Sequence, residues 1–184
     1  MQLPFLILAA TLLVGTLGLQ SFDGSNPNDS DSTVDPNDVA SIDAILDAVY
    51  ESISGPAGTP RQWARFRGLM QPEGARLMGV QEQPDGSERL VVMTPEEYIE
   101  RVDTPFTTDG FFERELHREV ERYGHVVHVW STYAYAREPD AEPLQRGVNS
   151  YQLFFDDDRW WVVSILWDSE RDDQPLPERF LPTD

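Results

Sequence analysis

From residue 35 onward the apolar positions keep a helical period, then change to a period of two. Val39, Ile42, Leu46, Val49 and Ile53 recur at steps of three and four, so they share one face of a helix. Asp35 is placed to cap it, Pro36 suits its first turn, and Gly55-Pro56 ends it. After Thr59-Pro60, Trp63, Phe66 and Leu69 or Met70 predict a second, shorter helix. Thr94-Pro95-Glu96-Glu97 has the form of a capping box ahead of Tyr98, Ile99 and Val102, and opens a third. Between the last two, "ARLMGVQEQPDGSERLVVM" reads as a hairpin about Pro84-Asp85-Gly86.

Beyond the third helix four strands are expected: Phe112–Tyr123, His125–Ala136, Val148–Phe155 and Trp160–Trp167. Helices first and a meander afterwards predict an α+β domain, with N-terminal helices packed on one face of a curved antiparallel sheet. Register follows from the turns. A two-residue turn at Tyr123-Gly124 sets Val120 against Val127, Arg118 against Val129, Arg114 against Tyr133 and Phe112 against Tyr135. A tip at Asp157-Asp158 sets Phe155 against Trp160, Leu153 against Val162, Tyr151 against Ser164 and Asn149 against Leu166. The last strand is then apolar on both faces, since Trp160 and Val162 alternate with Trp161, Val163, Ile165 and Trp167.

Ahead of the domain, Leu3 to Leu19 form an apolar run like the core of a secretory signal, so residues 1–21 are expected to direct export to a periplasmic or extracellular space. No Lys or Arg precedes the run and no clear cleavage site follows, so an uncleaved membrane anchor is the alternative, and only then would the protein meet a membrane. Residues 22–34 are rich in Asp, Asn, Ser and Pro and read as an acidic disordered linker. Residues 35–170 form the domain and 171–184 a C-terminal tail. The chain of 184 residues has 33 acidic side chains against 14 basic ones and a net charge of −19, which argues against a nucleic-acid partner. It has no cysteine, excluding disulfides, thiolate metal sites and cysteine catalysis.

The order of elements, with the paired strands "G-x-N-S-x-Q-L" and "RWW-V", resembles the nuclear-transport-factor-2-like superfamily over roughly Asp35 to Asp168. The group includes ketosteroid isomerase, polyketide cyclases and a kinase association domain. The resemblance implies a cone with a cavity between helices and sheet, and an inner face that carries the first tryptophan of a "W-x-V" stretch. No catalytic motif carries over residue by residue. On that orientation Arg114, Arg118, Tyr133, Tyr135, Asn149, Tyr151, Trp160 and Ser164 are the ligand-pocket candidates. His128, Trp130, Gln152, Trp161 and Trp167 fall on the other face, where a second copy of the chain is expected to cover them as a homodimer.

Arg114 and Arg118 beside tyrosines suit an anionic ligand, although pairing with nearby glutamates is the plainer expectation. Tyr133 with Asn149 could polarise a carbonyl. His117, Glu119 and His128 can share a face, but their spacing is no metal motif, and neither a metal nor a cofactor is assigned. Asp156-Asp157-Asp158 lacks the glycine and distal glutamate of a calcium loop. The expected function is therefore non-catalytic: an exported domain that binds a small apolar or anionic ligand or a protein. An isomerase, cyclase or hydrolase of the same fold, and a structural dimer with a vestigial pocket, are the alternatives. The discriminating feature is a proton acceptor inside the cavity, which the expected inner face lacks.

Overall fold

The computed structural model describes residues 34–182, apart from 84 and 157. The apolar leader, the linker up to residue 33 and the tip at Asp157 lie outside the described residues, and with them the expectations of export, anchoring and trimming.

The first predicted helix is two elements. Asp35 caps a 3-10 turn, Pro36–Val39, by accepting from the Asn37 N–H, and Ser41 then caps helix α1, Ile42–Ile53, by accepting from Ala44. Two capping side chains six residues apart each satisfy free N–H groups, so the chain starts a helix twice. Helix α2 spans Trp63–Leu69 and begins at Gln62 with no side-chain cap. Helix α3, Pro95–Asp109, has the predicted capping box: Thr94 and Glu97 each bond the other's backbone N–H. Arg61 is buried and donates to the carbonyls of Thr59 and Phe106, tying the last turn of α3 to the loop before α2.

Strands β1, Arg76–Glu82, and β2, Glu88–Met93, make the predicted hairpin, with Gly86 at φ 79° in its turn. Strands β3, Phe112–Tyr123, β4, Val126–Ala136, β5, Gln145–Asp156, and β6, Arg159–Ser169, follow. They form one sheet in the order β2-β1-β6-β5-β4-β3. Neighbours are antiparallel except β1 and β6, which run parallel, so the curved sheet is mixed. Helices α1 and α2 lie on its inner face. Ile45, Leu46 and Val49 of α1 and Phe66 and Leu69 of α2 join Val127, Val129, Leu153 and Val162 in one core, each worth about 1.5–3 kcal/mol when fully buried.

Two strands change face along their length. The β3–β4 turn is Gly124-His125 and not Tyr123-Gly124, so Tyr123 meets Val126, Val120 meets Val129 and Arg118 meets Ser131. Leu116 is then an extra residue: His117 meets Thr132 while Glu115 meets Tyr133, and the alternation inverts. Beyond this bulge Glu113 and Glu115 lie beside Tyr135 and Tyr133, and Arg114 is turned to the other face opposite Ala134. Strand β6 does the same. Phe155 meets Trp160 and Leu153 meets Val162 as expected, but Gln152 meets Ser164, so Val163 is extra and Ile165 and Trp167 turn inward beside Tyr151 and Asn149. Ser164 and Leu166 consequently lie on the outer face.

That outer face is not left for a partner throughout. The tail returns across it: Phe180 packs on Trp130 at 5.5 Å and accepts a hydrogen bond at its carbonyl from Thr132. Arg179 pairs with Glu119, and Arg171 pairs with Asp168 and Glu88 to anchor the start of the return.

Candidate functional site

Between the inner face of the sheet and helices α1 to α3 lies a cavity of about 250 Å³. An apolar cavity of roughly 150 Å³ holds a benzene ring, so this one accommodates about two fused rings. Its walls are aromatic. Tyr98 stacks on Phe66 at 5.6 Å and meets Trp167 edge-on at 6.1 Å, and Phe111 stacks between Phe106 and Tyr135 at 3.8 and 5.0 Å. Two glycines make room for the larger rings. A Cβ on Gly79 would fall 2.6 Å from the Trp167 indole, and one on Gly147 would fall 2.5 Å from the Tyr133 hydroxyl.

Into this apolar space the β3 bulge turns one carboxyl, that of Glu113. It keeps partial solvent contact, because it lines both the cavity and an open recess between α1 and the edge strand β3. Protein nevertheless surrounds it closely enough that burial pushes its carboxyl up from 4.5 to about 7, a rise that the hydrogen bond from Asn149 only partly offsets. At neutral pH the group is thus divided between acid and base. Burial, seconded by the nearby Glu113, raises the hydroxyls of Tyr98 and Tyr133, and burial with nearby Tyr50 and Glu113 raises that of Tyr151. All three remain protonated donors. Tyr133 bonds Ser169 at 3.1 Å, whereas Tyr98, a nine-tenths buried residue, makes no hydrogen bond through its hydroxyl among the described residues.

A polarised chain of hydrogen bonds holds Glu113 in place. Ser131 donates to Glu115 at 2.6 Å and so must accept from Tyr50 at 2.6 Å, because each hydroxyl has one proton to give. The Tyr50 oxygen in turn accepts from Asn149 Nδ2 at 3.1 Å, and the second N–H of that amide goes to Glu113 Oε1 at 3.2 Å. The amide cannot rotate without losing both acceptors. Glu115 ends the chain in an ion pair with Arg118 at 2.6 Å, which also pairs with Asp43 on α1.

Of the expected pocket residues, Tyr133, Tyr135, Asn149 and Tyr151 line the cavity. Arg114, Arg118, Trp160 and Ser164 do not. Arg114 and Ser164 are on the opposite face because of the bulges, Arg118 is held by Glu115 and α1, and Trp160 packs against Phe155 at 5.1 Å with Arg122 over its ring. Of the residues expected at a dimer interface, Trp167 lines the cavity instead, and Trp130 is covered by Phe180. His128 bonds Ser150, Trp161 lies under the Arg159 guanidinium, and Gln152 stays on the outer face opposite Ser164. The register sets Glu121, not Glu119, against His128, so the expected opposition of Glu119 and His128 is not formed. Sequence reasoning missed Glu113, Tyr98 and Trp167. The phase change of apolar residues in β6 was a readable sign of its bulge; β3 carries no such sign, since Leu116 keeps step with Phe112 and Val120.

No family model matches the sequence, and no curated protein matches it at a significant level. Solved structures do. A protein of unknown function with a cystatin-like fold from Nostoc punctiforme superposes with a TM-score of 0.54 at 10% identity, covering 71% of this chain and 90% of that one. A putative dehydratase of the nuclear-transport-factor-2-like family from Streptomyces avermitilis gives 0.53 at 14% identity over 73% and 96% of the two chains. A Mycobacterium tuberculosis protein of unknown function gives 0.53 at 16% identity over 74% and 75%. The fold is therefore nuclear-transport-factor-2-like, an α+β cone of helices on a curved sheet, and at such identities the likeness extends to the fold alone.

Proposed function

We propose that the cavity binds a small, mainly apolar molecule bearing a carbonyl group and that Glu113 exchanges a proton with it. The observation that carries this reading is a single carboxyl, poised near neutrality, in an aromatic cavity. A general acid or base works best when its pKa lies near the working pH, and burial supplies that here. In the step envisaged, ionised Glu113 removes a proton from the carbon next to the carbonyl, and the electron pair moves onto the carbonyl oxygen. The free Tyr98 hydroxyl is suited to donate to that oxygen. Return of the proton to another carbon gives an isomerisation, and loss of a neighbouring hydroxyl as water gives a dehydration.

The expectation of a non-catalytic binder rested on an inner face without a carboxylate; Glu113 weighs against that premise. A homodimer through the outer face stays a proposal with a changed footprint. Trp130 and Trp167 are occupied within the chain, so a second copy would seat on Leu90, Val92, Phe154 and Leu166, which are exposed.

The test uses 2-tetralone, a bicyclic ketone with acidic carbon-bound protons. Incubated in deuterium oxide and followed by proton NMR, it should exchange its ring-adjacent CH2 faster with protein than with buffer, along a pH profile rising through about 7. Glu113→Gln should abolish the increment. Binding of the ketone with no protein-dependent exchange would return the cavity to a purely binding role.

A further inference from the structure

Where the cavity opens, its lining changes from aromatic to cationic and amide. Arg101 of α3 is the one exposed residue of the lining and so marks the mouth. Its guanidinium donates to Gln81 Oε1 of β1 at 3.0 Å and has no carboxylate within ion-pairing distance among the described residues. Arg65, Arg67, Arg118, Arg137, Arg146, Arg171 and Arg179 each pair with Asp or Glu, and of the arginines without such a pair among the described residues Arg101 is the one that lines the cavity. Glu97, one turn earlier on α3, is engaged by Thr94 and does not neutralise it. Because Gln81 accepts from Arg101 through its side-chain oxygen, its amide N–H groups remain as donors beside the guanidinium, and they make no hydrogen bond among the described residues. Arg89 of β2 stands directly opposite Gln81 on the same face of the sheet and likewise has no ion pair among the described residues.

We infer that the molecule held in this cavity is a monocarboxylate with an apolar two-ring body, whose anionic end rests on Arg101 and the Gln81 amide while its body lies among Phe66, Tyr98, Phe111 and Trp167. The inference rests on the cavity being a binding site, as proposed above, and adds the charge and the orientation of its occupant. A guanidinium fork held from one side by Gln81 is already oriented, so little side-chain freedom is lost when a carboxylate docks on it. In a protein of net charge −19 the surrounding field repels anions, and an arginine at the cavity mouth without a carboxylate partner gives an anion a local place to dock. A carboxylate at the mouth directs the far end of the ligand inward, toward Glu113.

The experiment compares 2-naphthoate with its neutral isostere 2-acetonaphthone by titration calorimetry, on the wild type, Arg101→Gln and Arg101→Lys. Arg101→Gln should weaken 2-naphthoate about tenfold, the size of one charge-assisted hydrogen bond, and leave 2-acetonaphthone within about twofold. Arg101→Lys should recover part of the loss, since it keeps the charge but not the fork. Equal weakening of both compounds, or of neither, overturns the inference while leaving the cavity a binding site. Failure of both to bind the wild type overturns it as well. The proton-exchange reading is decided separately, by the deuterium increment lost in Glu113→Gln.

Discussion

Glu113 loses most of its hydration to the aromatic rings around it and regains one hydrogen bond, from Asn149. Its proton is therefore held more tightly in the folded protein than in the unfolded chain, with consequences for stability that have a definite sign. Between pH 4.5 and about 7 the folded state keeps a proton that the unfolded state has released, so stability falls as the pH rises through that window. Below the window the penalty is absent, and above it the penalty is complete, at most about 3 kcal/mol. Glu113→Gln cannot ionise and escapes it. In denaturant unfolding the variant should be more stable than the wild type at pH 8 by up to that amount, with no gain at pH 4. An equal effect at both pH values would mean that the substitution acts through packing and not through charge.

The helices and strands were legible in the sequence because each has its own local signal. The Thr94–Glu97 capping box, the turn with Gly86 and the period-two runs all became elements at or near their expected bounds. Face assignment was legible only up to the first bulge in each strand. In β6, Trp160 and Val162 are inward as the turn predicts, and Ile165 and Trp167 are inward only because Val163 is inserted between them. The doubly apolar strand is thus one buried face interrupted once, not two buried faces. Strand β3 gave no warning, since its apolar residues Phe112, Leu116 and Val120 stay in one phase straight through Leu116. What sets that bulge is tertiary. With Glu115 turned inward its carboxylate reaches Arg118 and Ser131 at 2.6 Å, pairings that a regular strand would break. The first helix was overextended for a simpler reason, the second cap at Ser41.

For the molecule as a whole, charge rather than core size sets the unusual demand. A domain this long buries an adequate core, but 33 acidic side chains against 14 arginines leave a net −19 that repels itself in the compact state. Ion pairs such as Arg67–Glu96 relieve this locally, and exposed pairs of that sort contribute little each. Added salt shortens the reach of the repulsion from about 10 Å at 0.1 M to about 3 Å at 1 M. Melting temperature should therefore rise between 0.05 and 1 M sodium chloride, on the order of 5 °C, about 1–2 kcal/mol. A fall over the same range would show that the ion pairs, including those that pin the C-terminal return over Trp130, outweigh the net repulsion.

The central claim is that the bulge at Leu116 sets Glu113, and not Arg114, in the aromatic cavity as a group that gains and loses a proton near neutrality. Carbon-13 NMR of carboxyl-labelled protein, with the Glu113 signal assigned by its absence in Glu113→Gln, tests it most directly. The account predicts a side-chain carboxyl titrating with a midpoint near 7. A midpoint at the ordinary glutamate value near 4.3 would contradict it, because a carboxyl that ionises so easily faces water and not the cavity.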